Sequence, residues 1–212
     1  MSYINIGVYS CSAVEKDLAT TLKHLLHINV WASMIVNGCK LELVLGDISK
    51  QETEVIVNAA NDRLEPGGGT AGAIHRAAGI KLWEECRALG GCKTGAAKIT
   101  KAYNLAADYV IHTVGPIYTG SPRNAELLAS CYIQTLQLAR RYLLKSIAFP
   151  AISTGTFGYP MEDAAHVALA TVVEDVRQHD ALKLIRFVLF TRDALIAHRQ
   201  ALQNVLRNSR AL

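Results

Sequence analysis

The sequence predicts an α/β fold: a mostly parallel sheet covered by helices on both faces. Three observations carry this. From Lys40 onward, short runs rich in β-branched residues alternate with helical stretches, the rhythm of successive βαβ crossovers. Polar or Gly-rich loops follow three of those runs, and such sheets bind ligands beyond the carboxyl ends of their strands. No internal repeat, low-complexity tract or interdomain linker interrupts the 212 residues, a length suited to one sizeable core.

Residues 1–39 read as an N-terminal extension packing on a core formed by residues 40–212. Within the extension, residues 3–9 alternate weakly like a strand. Ser12-Ala-Val-Glu15 forms a capping box, in which the Ser12 hydroxyl and the Glu15 carboxylate each satisfy a free helix amide. Val14, Leu18, Leu22, Leu25 and Leu26 then recur at helical spacing, which predicts a helix over 13–27. Residues 28–36 are apolar and fit strand or helix, and Asn37-Gly38 ends them as a turn.

In the core, strands are predicted at 41–45, 55–57, 109–114, 146–152 and 184–190. Helices are predicted at 72–78, 80–89 and 124–144. A fourth has Pro160 at its first position, where the missing N–H costs nothing, and Leu169, Val172, Val173 and Val176 on its buried face. The last runs over 193–206 with Leu195, Leu202, Val205 and Leu206 on one side.

Composition excludes several classes of function. The net charge of +4 is modest, and the densest basic cluster, Arg140-Arg141 with Lys145, is a solvated helix face rather than a nucleic-acid patch. No apolar run approaches the roughly 18–20 residues of a membrane span. No signal peptide is evident, which fits a cytosolic-type, cytoplasmic compartment and is compatible with the nucleus. The five cysteines are scattered, odd in number and without a CxxC, so neither a disulfide framework nor a zinc site is expected. The seven histidines form no HExxH, and no metal is implied.

The most informative stretch is VIVNAANDRLEPGGGTAGAIHRAAG, residues 55–79. A strand gives way to a polar segment, then three glycines, then a small-residue helix. Glycines before a helix let backbone N–H groups approach a ligand, and the positive helix end favours an anion. A second Gly-rich loop, residues 153–158, follows another strand. Amides from both loops make anion-binding concavities without lysine or arginine. Gly67 to Gly72 literally satisfies G-x-G-x-x-G, but nine residues separate Val57 from Gly67 and no acidic residue stands about 20 positions on. A nicotinamide-dinucleotide site is therefore disfavoured. A Walker A loop fails, because no Gly-Lys-Ser/Thr follows.

Taken together, Gly46-Asp47-Ile48, Asn58-Ala-Ala-Asn61, Gly67-Gly-Gly69 with Ala73-Ile-His-Arg-Ala-Ala-Gly79, Cys92-Lys-Thr-Gly-Ala-Ala-Lys-Ile-Thr100, Tyr109-Val-Ile-His-Thr-Val-Gly-Pro116 and Ile152-Ser-Thr-Gly-Thr-Phe-Gly-Tyr-Pro160 resemble a macro domain, and among macro domains the MacroD-type group. The resemblance covers residues 40–207 with the motifs in order. It implies a three-layer α/β/α fold with a mixed, mostly parallel central sheet that binds ADP-ribose. Asp47 would accept a hydrogen bond from the adenine amino group, with Ile48 beside it. The diphosphate would lie between Gly68, Gly69, Thr70, Ala71 and Gly72 and the facing Ser153, Thr154, Gly155, Thr156, Phe157 and Gly158. Asn61 would contact the distal ribose, where the scissile bond lies, while Asn58 ties its own loop together. Phe157 would stack near that ribose, His75 would position groups beside it, and Phe190 is either an adenine wall or core. Tyr103, His112 and His166 are read as structural.

One position departs from the pattern. MacroD-type enzymes read Gly-Gly-Gly-Gly-Val-Asp-Gly through the phosphate loop, and this chain reads Pro66-Gly-Gly-Gly-Thr-Ala-Gly72. Ala71 thus stands where an aspartate implicated in hydrolysis belongs, and alanine can neither take a proton nor orient a water. The resemblance favours a hydrolase that cleaves mono-ADP-ribose from acidic side chains or deacetylates O-acetyl-ADP-ribose, with a water activated by the ligand's own phosphate. Asn61 and His75 are its candidate catalytic residues. Ala71 favours the alternative, a non-catalytic reader of ADP-ribose. The implied partners are ADP-ribose, mono-ADP-ribosylated proteins and O-acetyl-ADP-ribose, with no further cofactor.

Overall fold

The computed structural model describes residues 29–208. The strand predicted over 3–9 and the helix over 13–27 lie outside the described residues. The strands are β1 (Asn29–Val36), β2 (Cys39–Leu45), β3 (Val55–Ala59), β4 (Ala97–Lys101), β5 (Tyr109–Thr113), β6 (Ser146–Phe149) and β7 (Leu184–Leu189). They form one seven-stranded sheet in the order β1-β2-β7-β6-β3-β5-β4. The helices are α1 (Gly69–Ala78), α2 (Ile80–Ala88), α3 (Arg123–Arg141), α4 (Met161–Gln178) and α5 (Arg192–Asn208), with a 3₁₀ turn at Ile48–Lys50.

The sheet is mixed. The central pairs β2–β7, β7–β6, β6–β3 and β3–β5 are parallel, and the outer pairs β1–β2 and β4–β5 are antiparallel. Of residues 28–36, which fitted strand or helix, Asn29–Val36 supply β1, paired to β2 across the Asn37-Gly38 turn. β4 has no counterpart in the sequence reading: it is an edge strand carrying Lys98 and Lys101, only Thr100 is buried, and its apolar pattern is correspondingly weak. β6 stops at Phe149, before Pro150, which has no N–H for the ladder. α1 begins at Gly69, earlier than expected, because the glycines that weaken helix propensity are here recruited into the first turn.

Alternation along the strands sorts the core into two faces. Leu41, Leu43, Val55, Val57, Ile111, Phe149 and Phe187 pack against Leu128, Tyr132, Leu169, Val172 and Leu195 from α3, α4 and α5. Ile56, Val110, Ala148 and Val188 pack against Ile74, Ala78 and Leu82 from α1 and α2. Two helical layers thus enclose the sheet. Glu42 and Arg186, register partners on β2 and β7, form a buried pair at 2.7 Å, which with Gln51 ties the 3₁₀ turn to this half of the sheet.

Two histidines in this core make stability depend on pH. Burial, helped by His75, holds His112 down to about 3. Burial also lowers His198 to about 4, despite its Nδ1 lying 2.8 Å from the Ala194 carbonyl. In the unfolded chain both take up a proton below about pH 6.5, whereas the folded chain does not until far lower. The unfolded state therefore binds more protons across that window, and stability is lost as pH falls. Each histidine contributes a slope of about 1.4 kcal/mol per pH unit, and neither contributes above about pH 7. Urea midpoints are expected to drop steeply between about pH 6.5 and 4.5, and less steeply in His198→Asn. A midpoint independent of pH over that range would contradict this assignment.

Candidate functional site

A cleft of about 450 Å³ opens where the loops after β3, β6 and β7 meet. Asn61 and Gly67 to Ala71 line it from the β3 side, and Ser153 to Phe157 from the β6 side. Val188, Phe190 and Thr191 line it from β7 and the start of α5. β3 and β6 are neighbouring parallel strands, so their two loops leave the sheet together.

Each loop is held by its own hydrogen bonds and leaves its amides free. Gly68 caps α1 without a side-chain hydrogen bond, so the first-turn N–H groups have no partner in the helix. Gly72 is required by close approach: a Cβ there would stand 2.3 Å from the Gly67 carbonyl oxygen. In the second loop the Thr154 hydroxyl donates to the Ala151 carbonyl at 3.0 Å, Gly158 N–H to Gly155 at 2.9 Å and Tyr159 N–H to Ser153 at 3.0 Å. Tyr118 N–H donates to the Phe157 carbonyl at 2.8 Å, pinning the loop from outside. The N–H groups of Thr154, Gly155, Thr156 and Phe157 have no partner among the described residues. Ser153 holds a left-handed φ of 67°, with its hydroxyl buried and unpaired against Gly115.

The lining contains no lysine, arginine, aspartate, glutamate or histidine. Its polarity comes from backbone amides, one carboxamide and hydroxyls, an arrangement that holds an anion by preorganised dipoles. At one end Phe190 is 83% exposed, an apolar wall rather than a core side chain.

Of the expected site residues, Asn61, Gly68, Gly69, Thr70, Ala71, Ser153, Thr154, Gly155, Thr156, Phe157 and Phe190 line this cleft, and the others do not. Asp47 and Ile48 stand beside it. Gly46 N–H donates to Leu189, which sets the turn against the β7 wall, but Ile48 is buried. The Asp47 carboxylate accepts from the Ser49 N–H at 2.9 Å and hydroxyl at 2.7 Å, capping the 3₁₀ turn. Gly72 and Gly158 shape the loops from behind the lining.

Of the two asparagines, Asn58 is corrected, whereas Asn61 lines the cleft and also braces its loop. The Asn61 Oδ1 accepts from the N–H groups of Arg63 and Glu65 at 3.1 and 3.0 Å, and its Nδ2 donates to the Glu65 carbonyl. Asn61, not Asn58, therefore ties the loop together. Asn58 is fully buried, with Nδ2 3.1 Å from His112 Nδ1. It shares a strand face with Ile56 and so points into the core. His75 is likewise corrected. It is buried with both ring nitrogens unpartnered and lines a different cavity.

Among the described residues, His75, Cys86 and His112 form one group of potential metal ligands, their donor atoms within 4.8 Å of one another. Both His112 nitrogens are already engaged, Nδ1 with Asn58 and Nε2 with the Thr100 hydroxyl at 2.9 Å. Burial pushes the Cys86 thiol up to about 12, so it stays protonated. The group is core packing.

Sequence reasoning missed Gly115, Val188, Met161 and Thr191. Their signal was position: Gly115, Val188 and Thr191 fall at or just beyond the ends of parallel strands.

This fold and cleft define a class. Residues 57–168 match the model of the Macro domain, and the chain belongs to the macro domain family. It is 48% identical over 174 residues to a macro domain-containing protein of Methanosarcina mazei, covering 82% of this chain and 93% of that one. It is 55% identical over 142 residues to the ADP-ribose glycohydrolase MACROD1 of Rattus norvegicus, covering 66% of this chain and 55% of the relative. The chain thus spans about half the length of that rat relative. The Oceanobacillus iheyensis macrodomain with ADP superposes with a TM-score of 0.82 at 39% identity, covering 86% of this chain and 99% of that one.

Proposed function

We propose that this chain binds ADP-ribose in the cleft and releases it by hydrolysis from mono-ADP-ribosylated acidic side chains, with O-acetyl-ADP-ribose as a second substrate. The observation that carries the reading is a cleft with two runs of free amides, no cation and an exposed aromatic wall. A diphosphate fits the amides and an adenine fits Phe190. The rat relative named ADP-ribose glycohydrolase and the ADP-bound solved macrodomain support the same ligand class.

The composition of the lining supports a substrate-assisted route. It offers no general base, and in this reading the attacking water gives its proton to an oxygen of the substrate's own diphosphate. It offers no general acid either. That suits a leaving group stable as an anion, and a glutamate carboxylate with a pKa near 4.3 is one. Water attacks C1″ of the distal ribose, the C1″–O bond to the side chain breaks, and a carboxylate, ADP-ribose and a proton result. Positioning supplies the rate, since holding water and ribose in line removes much of the entropic barrier. Free thiols at Cys39, Cys86, Cys92 and Cys131 fit work in a cytosolic-type compartment. A second reading, a non-catalytic reader, rests on Ala71.

Calorimetric titration with ADP-ribose tests the binding. The unaltered chain is expected to saturate at one equivalent and to ignore NAD. Phe190→Ala is expected to bind about tenfold more weakly, the value of one base–aromatic stack, with an unchanged melting temperature. Unchanged affinity in Phe190→Ala would remove Phe190 from the binding site and leave the adenine unplaced.

A further inference from the structure

A second cavity, of about 440 Å³, runs along the side of α1 that carries Gly72, His75 and Arg76 and continues onto Ile80 and Trp83 of α2. Gly67 lines this cavity and the cleft alike, so the two share a wall. Their chemistry differs. Ile80 and Trp83, one helical turn apart, present apolar surface, and Ile80 is 69% exposed. His75 packs edge-on to Trp83 at 6.4 Å between ring centroids. Burial depresses its pKa, so it brings no charge. Arg76 is exposed and forms no ion pair among the described residues. Its Nη1 lies 2.9 Å from where a Gly72 Cβ would stand, so the exposed guanidinium lies over the glycine.

We infer that this cavity holds the polypeptide carrying the ADP-ribose, an acidic segment whose flanking carboxylate pairs with Arg76 and whose apolar part covers Ile80 and Trp83. The inference rests on the ADP-ribose reading above. Three features support it. The shared Gly67 wall puts the cavity next to the loop that would hold the ligand. An unpaired guanidinium offers two parallel N–H donors, which match a carboxylate. A single cation beside apolar surface suits one carboxylate in a peptide, whereas a nucleic acid would require a row of cations.

Affinity measurements on the full chain test it, by short-time competition against labelled ADP-ribose. The probes are free ADP-ribose and two peptides mono-ADP-ribosylated on one central glutamate, one with aspartate and glutamate flanks, the other with serine and glutamine flanks. The unaltered chain is expected to prefer the acidic-flank peptide about tenfold. Arg76→Gln is expected to erase that preference while leaving free ADP-ribose affinity intact. Ile80→Asp is expected to weaken both peptides but not free ADP-ribose. No flank preference in the unaltered chain, or one that survives Arg76→Gln, overturns the inference. So does a matching loss of free ADP-ribose in Arg76→Gln. Failure of the unaltered chain to bind free ADP-ribose is a separate result, which removes the ADP-ribose reading itself.

Discussion

Gly72→Ala is expected to weaken ADP-ribose binding by about 100-fold or more, the equivalent of about 2.7 kcal/mol. Two effects of the added methyl oppose each other. Inside a helix, alanine is favoured over glycine by about 1 kcal/mol. Against that, the new Cβ would stand 2.3 Å from the Gly67 carbonyl oxygen and 2.9 Å from Arg76 Nη1. The arginine can swing away, but the carbonyl is backbone. The loop of residues 67–71 must therefore move, and its free amides lose the directions that converge on the cleft. Overpacking of this kind costs about 1–3 kcal/mol, so overall stability changes little while the site is lost. Gly46→Ala is the control: its Cβ would meet only ordinary contacts at 3.9 Å, and both affinity and melting temperature are expected to hold. Equal affinities in Gly72→Ala and the unaltered chain would show that the loop takes no part in binding.

Gly115→Ala attacks the other loop. Its Cβ would lie 2.0 Å from Ser153 Oγ and 2.8 Å from Ile152 Cγ2. Ser153 is already in the left-handed region with its hydroxyl buried, so it has little freedom to yield. The 153–157 turn is expected to shift outward, lowering ADP-ribose affinity by about 10- to 100-fold, and stability falls as well. Ser153→Gly in the Gly115→Ala background removes the worst contact and relieves the φ, so it is expected to recover part of the affinity. A double variant no better than the single one would place the damage at Ile152 instead.

The parts of this fold that follow from local chemistry were legible in the sequence. Alternating β-branched runs and amphipathic helices give the parallel centre of the sheet, and glycines at strand ends give both amide loops. The antiparallel margins were not. β4 carries lysines on an edge and has almost no apolar alternation to read. The roles of Asn58 and Asn61 depended on where β3 ends. With the strand extended to Ala59, Asn58 falls on the same face as Ile56 and opposite His112, which places it in the core. His75 went astray for a similar reason. Its motif fixes its position in the chain, but only the packing of α1 against α2 decides which cavity it lines.

Hydrolysis without the aspartate is measured by a time course of ADP-ribose release from a protein mono-ADP-ribosylated on glutamate, with the unaltered chain run beside Ala71→Asp. Release by the unaltered chain is expected, since the diphosphate oxygen replaces the missing carboxylate, and slower release in Gly72→Ala. No release by a chain that still binds ADP-ribose, with activity appearing only in Ala71→Asp, would refute substrate-assisted hydrolysis and leave a binding module on an enzyme frame.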